Sequence, residues 1–244
     1  MTPIYLLADS QLLFWKQGGA PFLRSVREAV GRESPKAAYV GASNGDNPEF
    51  YKLFVAAMST IGIDDCRMIH SDVSSDEASF LDEADIILLA GGDVERGWSV
   101  FESNGLNKTI VTRYYEGAVL IGVSAGAVQL GLAGLSTSGE ATCGDLIHTF
   151  KLVPYIVGAH EEKEEWKDLK KAIRLMGSGV QGIGIPTGGG LIYHTDHSLE
   201  PVRQPAYEFS VKGEGFSSNL LFLEARTHVT ESSGEAEVSG ALEV

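Results

Sequence analysis

The sequence predicts an α/β fold: a doubly wound, mostly parallel sheet with helices on both faces, ending in an antiparallel extension. Three observations lead there. Five short, nearly continuous apolar runs recur through the first half of the chain, as expected for parallel strands covered on both faces. Amphipathic segments separate them, giving the β-α-β rhythm of right-handed crossovers. The second half turns to glycine-punctuated strand pairs.

The strand candidates of the first half are IYLLA (4–8), AAYVGA (37–42), CRMIH (66–70), DIILLAGG (85–92) and VLIGV (119–123). Between them, PFLRSVREAVG (21–31) reads as a helix with Pro near its start and Gly at its end. NPEFYKLFVAAMSTIG (47–62) opens on Asn-Pro and closes on Gly62. SSDEASFLDEA (74–84) offers Ser74 or Ser75 as a cap, with Asp76 and Glu77 in the first turn. In the second half, EEKEEWKDLKKAIRLMG (161–177) places Trp166, Leu169, Ile173 and Met176 at helical spacing, acids early and bases late. VQGIGIP and GLIYH follow as strands around a glycine-rich turn, and YEFSVKGEG with SNLLFLEA as a terminal antiparallel pair. One α/β domain is expected over 1–226. Residues 227–244, acidic and poor in large apolar side chains, are expected to be a loose tail.

Composition narrows the function. The formal net charge of -14 argues against nucleic acid and anionic membranes as partners, because phosphate recognition needs clustered Lys and Arg. No apolar run approaches the ~20 residues of a membrane span. The N-terminus lacks the basic start of a signal peptide, so a cytoplasmic location is expected. Only Cys66 and Cys143 occur, without metal-ligand spacing, so neither a disulfide framework nor a zinc site is expected, and no cofactor or metal is expected.

The chemistry concentrates at GVSAGAV, 122–128, where an apolar strand runs directly into Ser124 and then into a helix-forming run. In G-x-S-x-G, small neighbours let the backbone bend sharply and keep the hydroxyl exposed. The helix behind it directs N–H groups toward a developing oxyanion. The same pattern also fits a packing turn or an anion-binding loop. A second small-residue turn, Gly91-Gly92-Asp93, ends another strand, and parallel strand ends share one rim where ligands bind. Gly92 could offer a second oxyanion N–H beside that of Ala125. A serine nucleophile needs a base. Of six histidines, His160, at a strand-to-helix junction, is favoured modestly over His194.

These motifs, in order, resemble the dipeptidase E and cyanophycinase family of serine peptidases, whose fold is class I glutamine amidotransferase-like (flavodoxin-like). LLAGGDV resembles the family's G-G-(D/N) turn, and GVSAGAV its S-A-G-A elbow. FKLVPYIVGAH resembles the segment leading to its catalytic histidine, and GIGIP with GGGLIY its late strand pair. The resemblance implies Ser124 as nucleophile, His160 as general base, and an oxyanion and substrate region at Gly91, Gly92, Asp93 and Ala125. It implies small substrates, dipeptides or isopeptide-like bonds, often with an aspartyl acyl group. A carboxylate pocket of that kind needs a cation, and Arg96 and Arg113 are the nearest in sequence.

Two departures stand out. The histidine is followed by Glu161 where the family has an aromatic residue. Thr187 stands where family members commonly carry the acid that orients the histidine. Glu140 is the first candidate to replace that acid, with Glu161, Glu162 and Asp196 behind it. The leading expectation is thus a serine hydrolase of the peptidase type, with a homo-oligomer left open. The alternative is a non-catalytic or weakened amidotransferase-like domain that binds a small ligand or partner. An α/β-hydrolase esterase would need His228 as its base, and glutamine amidotransfer uses cysteine where Ser124 stands.

Overall fold

The computed structural model describes residues 1–136 and 146–223. Its main sheet has seven strands. Five are parallel neighbours: β1 (Ile4–Leu7), β2 (Ala37–Val40), β3 (Cys66–Ile69), β4 (Ile86–Leu89) and β5 (Val119–Val123), in the spatial order β1-β5-β4-β2-β3. A second sheet is built on β6 (Ile156–Ala159) and β7 (Gln181–Ile185), which are parallel. Strands β8 (Gly190–Tyr193) and β9 (Leu199–Val202) return to the main sheet and extend it antiparallel beyond β1. The hairpin β10 (Ala206–Lys212) and β11 (Gly215–Leu221) completes the second sheet, with β10 antiparallel to β7. The late strand pair expected around the glycine-rich turn is therefore split between two sheets.

Continuous apolar strands are explained by cover on both faces. Leu6, Val40, Leu89 and Leu120 face one core. Leu7, Tyr39, Leu88 and Ile121 face the other. Helices α1 (Arg24–Val30) and α2 (Pro48–Ser59) bury Val26, Phe54, Ala57 and Met58 on the second face. Helices α3 (Ser75–Leu81), α4 (Val94–Asn104), α5 (Leu106–Tyr115) and α6 (Ala125–Leu130) cover the first. Helix α1 starts at Arg24, after Pro21 is taken up in a two-residue strand, whereas the start signals of α2 and α3 act as read. Asn47 accepts the Glu49 N–H ahead of Pro48, and Ser74 with Glu77 forms a reciprocal capping box.

The charged helix begins later than its periodicity predicts. Helix α7 is Lys167–Met176, and Glu162–Glu164 is a single 3-10 turn. Glu165 and Trp166 take positive φ, and the Glu161 carboxylate accepts the Leu169 N–H, satisfying a donor of the first helical turn. Helix α7 lies on the second sheet because that sheet is paved with glycine. A Cβ on Gly184 would lie 2.7 Å from the Trp166 ring, and one on Gly158 would lie 3.0 Å from Leu169. Helices α4 and α5 occupy a stretch in which the sequence reading placed no element. The expected tail, 227–244, lies outside the described residues.

Candidate active site

Strand β5 delivers Ser124 to the carboxyl edge of the sheet. The Ser124 N–H donates to the Leu7 carbonyl at 2.8 Å, and α6 starts at the next residue. Ser124 has φ 50° and ψ -109°, a conformation that costs a non-glycine residue about 1–3 kcal/mol and persists only where its surroundings enforce it. Small residues enforce it here. A Cβ on Gly122 would stand 2.5 Å from the Gly126 carbonyl oxygen, and a Cβ on Gly126 would overlap the Leu89 carbonyl oxygen. The helix start is therefore pressed against β5 and β4, and the serine side chain is turned out over the rim.

His160 arrives from the other sheet. It follows β6, its N–H donates to the Ile185 carbonyl at 2.8 Å, and it also has positive φ, 49°. Its Nε2 lies 2.8 Å from Ser124 Oγ. In this geometry the hydroxyl donates to the imidazole, which can take its proton when the oxygen attacks a carbonyl. The turn after β7 is docked onto β1. The Ala8 N–H donates to the Gly189 carbonyl, and the Gly188 N–H donates to the Asp9 carboxylate at 2.6 Å.

The other histidines lie elsewhere. Strand β8 runs antiparallel to β1, with Tyr193 opposite Ile4, so His194 emerges at the amino edge, away from Ser124. There it pairs with Glu200 at 2.9 Å. His70 pairs with Glu77, and His197 Nδ1 bonds the Tyr193 hydroxyl. His148 sits in a short strand, Leu146–His148, and His228 lies outside the described residues.

Gly91 packs directly on the serine, since a Cβ there would lie 3.3 Å from Ser124 Cβ. Gly92 has φ 136°, and a side chain on it would overlap the Ser43 carbonyl, so only glycine fits this turn. Ala125 is the first residue of α6, where N–H groups have no intrahelical acceptor. Asp93 serves the fold: its carboxylate accepts the Arg96 N–H at 2.7 Å and caps α4. Neither arginine reaches the serine's cavity. The Arg96 guanidinium lies over Gly45, and Arg113 donates to the Ala84 carbonyl and pairs with Glu116 at the amino edge of β4.

Glu140 lies outside the described residues. Thr187 holds a carboxylate. Its N–H lies 3.3 Å from both oxygens of Glu162. Slight burial pushes the Glu162 pKa up, but the Thr187 bonds and the His160 imidazole outweigh it and hold the carboxyl below its ordinary value. Glu161 behaves oppositely. Burial and the Asp168 charge raise it against the Leu169 N–H and His160. Both carboxylates thus feel His160, and of the two it is Glu162 whose pKa is lowered. Glu162→Gln should lower the turnover rate about 10-fold or more at neutral pH, with KM little changed, because a carboxylate beside an imidazole stabilises the imidazolium that builds up in the transition state. Steady-state kinetics on a dipeptide amide would check this. An unchanged rate would remove Glu162 from the site.

A cavity of about 270 Å³ opens beside Ser124 and His160. It extends under α2 to Leu13, Tyr39, Phe50 and Leu53, and Asp9 lines its edge. The sequence reading contained neither Asp9 nor this apolar wall. The signal available was the width of the α2 stripe, in which Phe50 and Leu53 extend the buried face of Phe54 and Ala57.

Fold and site together define an α/β protein with a strained serine elbow on one sheet and an imidazole supplied from a second. The sequence profile of peptidase family S51 matches residues 12–200, and the chain belongs to that family. The uncharacterized peptidase YgaJ of Bacillus subtilis (strain 168) is 30% identical over 101 residues, 40% of this chain and 43% of YgaJ. The match thus spans under half of that relative. Among solved structures, a peptidase from an acI-B1 Actinobacterium superposes with a TM-score of 0.65 at 17% identity, covering 91% of this chain and 95% of the other. A protein from Listeria monocytogenes EGD-e assigned as a peptidase E superposes with a TM-score of 0.60 at 16% identity, covering 84% and 99%. The fold is the class I glutamine amidotransferase-like one that the motifs led us to expect.

Proposed function

We propose that the protein is a serine peptidase acting on a small peptide or isopeptide bond. The observation that carries this is the 2.8 Å approach of Ser124 Oγ to His160 Nε2 at the strained elbow, in a chain of peptidase family S51. Ser124 Oγ attacks the substrate carbonyl carbon while His160 Nε2 takes its proton. The Gly92 and Ala125 N–H groups receive the oxyanion. His160 then protonates the leaving amine, the C–N bond breaks, and an acyl-enzyme remains. Water attacks this ester with His160 again as base, releasing the acid and restoring Ser124. Glu162, held by Thr187, balances the imidazolium charge.

The cavity supports a small substrate, being at or below the ~300–1,000 Å³ of sites for drug-sized ligands. No described helix is long and apolar enough to cross a membrane. The net charge of -14 leaves nucleic acid a poor partner. The case for a non-catalytic domain rested on the missing acid at Thr187. The carboxylate that Thr187 holds weakens that case.

The test is hydrolysis of a panel of aminoacyl amides and dipeptides. Wild type is expected to turn over at least one class, and Ser124→Ala to lose about 10⁴-fold or more in kcat. Equal rates in the two proteins would mean that Ser124 is not the nucleophile.

A further inference from the structure

We infer that the cavity beside Ser124 takes an aliphatic or aromatic acyl side chain, not an acidic one. This rests on the reading of Ser124 as the nucleophile and goes on to name its substrate class. The walls next to the serine are Leu13, Tyr39, Phe50, Leu53, Phe54 and Leu88. Among the described residues lining the cavity, no Lys or Arg occurs, and the charged or titratable ones are Asp9, His160 and Tyr39. The polar tip of Tyr39 is already engaged by the Asn44 amide at 2.8 Å, and burial pushes its pKa up, so it presents a neutral ring.

Asp9 sharpens the selectivity. Its carboxylate accepts the Gly188 and Gln11 N–H groups, at 2.6 and 2.8 Å, which fix it at the cavity. A substrate carboxylate entering beside it would meet a like charge and lose its hydration against apolar walls. An apolar side chain meets neither penalty. Two of the wall residues are unusually exposed for their type: Phe50 is 46% and Leu53 is 41% accessible. Both belong to α2, whose inner face is otherwise buried. An apolar group in the cavity would cover them.

The test uses diphenyl 1-aminoalkylphosphonates carrying the phenylalanine, leucine or aspartate side chain. Ser124 Oγ forms the new O–P bond, its proton passes through His160, and one phenoxide leaves as phenol, so the labelling rate reads the fit of the side chain. Diisopropyl fluorophosphate, which has no such side chain, reports the nucleophile alone. The phenylalanine and leucine analogues are expected to label Ser124 about 100-fold faster than the aspartate analogue, the scale on which a pocket discriminates by burial and charge. Leu53→Arg, on the exposed rim, should narrow that gap about 10-fold by adding a cation. An aspartate analogue that labels as fast as the apolar ones, with the fluorophosphate also reacting, would overturn the apolar pocket and leave the nucleophile standing. Failure of the fluorophosphate itself to react would overturn the nucleophile, and this inference with it.

Discussion

His160→Ala is expected to cut amide hydrolysis about 10⁴-fold or more while leaving the fold in place, since in the proposed mechanism both acylation and deacylation pass a proton through its Nε2. The side chain is exposed and bonds Ser124, so little packing is lost. The backbone here has φ 49°, which asparagine tolerates better than alanine. His160→Asn is therefore the companion variant: it should be at least as stable and equally inactive. His194→Ala is the control. That imidazole sits at the amino edge of the sheet with Glu200, and its loss should leave the rate near wild type. Activity that survives at His160 and disappears at His194 would reassign the base.

Gly126→Ala is expected to be the most damaging small change to the fold. A methyl group there would overlap the Leu89 carbonyl oxygen, a backbone atom of β4 that cannot swing away. Helix α6 would have to lift off the sheet and carry Ser124 with it. Overpacking of this kind costs about 3 kcal/mol or more when backbone must move. Urea denaturation would measure it. Gly215→Ala provides the comparison: its φ is not positive, and a Cβ there has no neighbour nearer than 3.9 Å. That substitution should stay within about 0.5 kcal/mol of wild type. A Gly126→Ala protein of full stability would show that the tight elbow is not what seats the serine.

The parts of the molecule legible in the sequence are those where one physical constraint acts alone. The five parallel strands are buried on both faces, so their apolar runs are unbroken, and the run from Val119 ends at Ser124 as read. The caps of α2 and α3 are local chemistry within four residues. Helix α7 was misjudged at its start because its periodicity extends back through Trp166, whereas the backbone there answers to the glycine floor of the second sheet and to Glu161. Helices α4 and α5 were missed because Gly105 divides them and their charged residues blur the pattern.

The site divides in the same way. The elbow is a local motif. Sequence position favours His160 over His194 only modestly, and the wider separation comes from topology, because the direction of β8 sends His194 to the far edge. Thr187 reads as the loss of an acid, because the carboxylate it contacts, Glu162, lies 25 residues away in sequence. Asp9 and the apolar wall of the cavity are brought together by β1 and α2, and no motif links them.

The central claim is that the Ser124 hydroxyl, activated by His160, is the nucleophile. Treatment with a fluorophosphonate, followed by intact mass and peptide mapping, tests it most directly. A single adduct on the peptide carrying Ser124, absent from Ser124→Ala and strongly slowed in His160→Ala, is the predicted result. An unmodified wild-type protein, or an adduct at another serine, would contradict it.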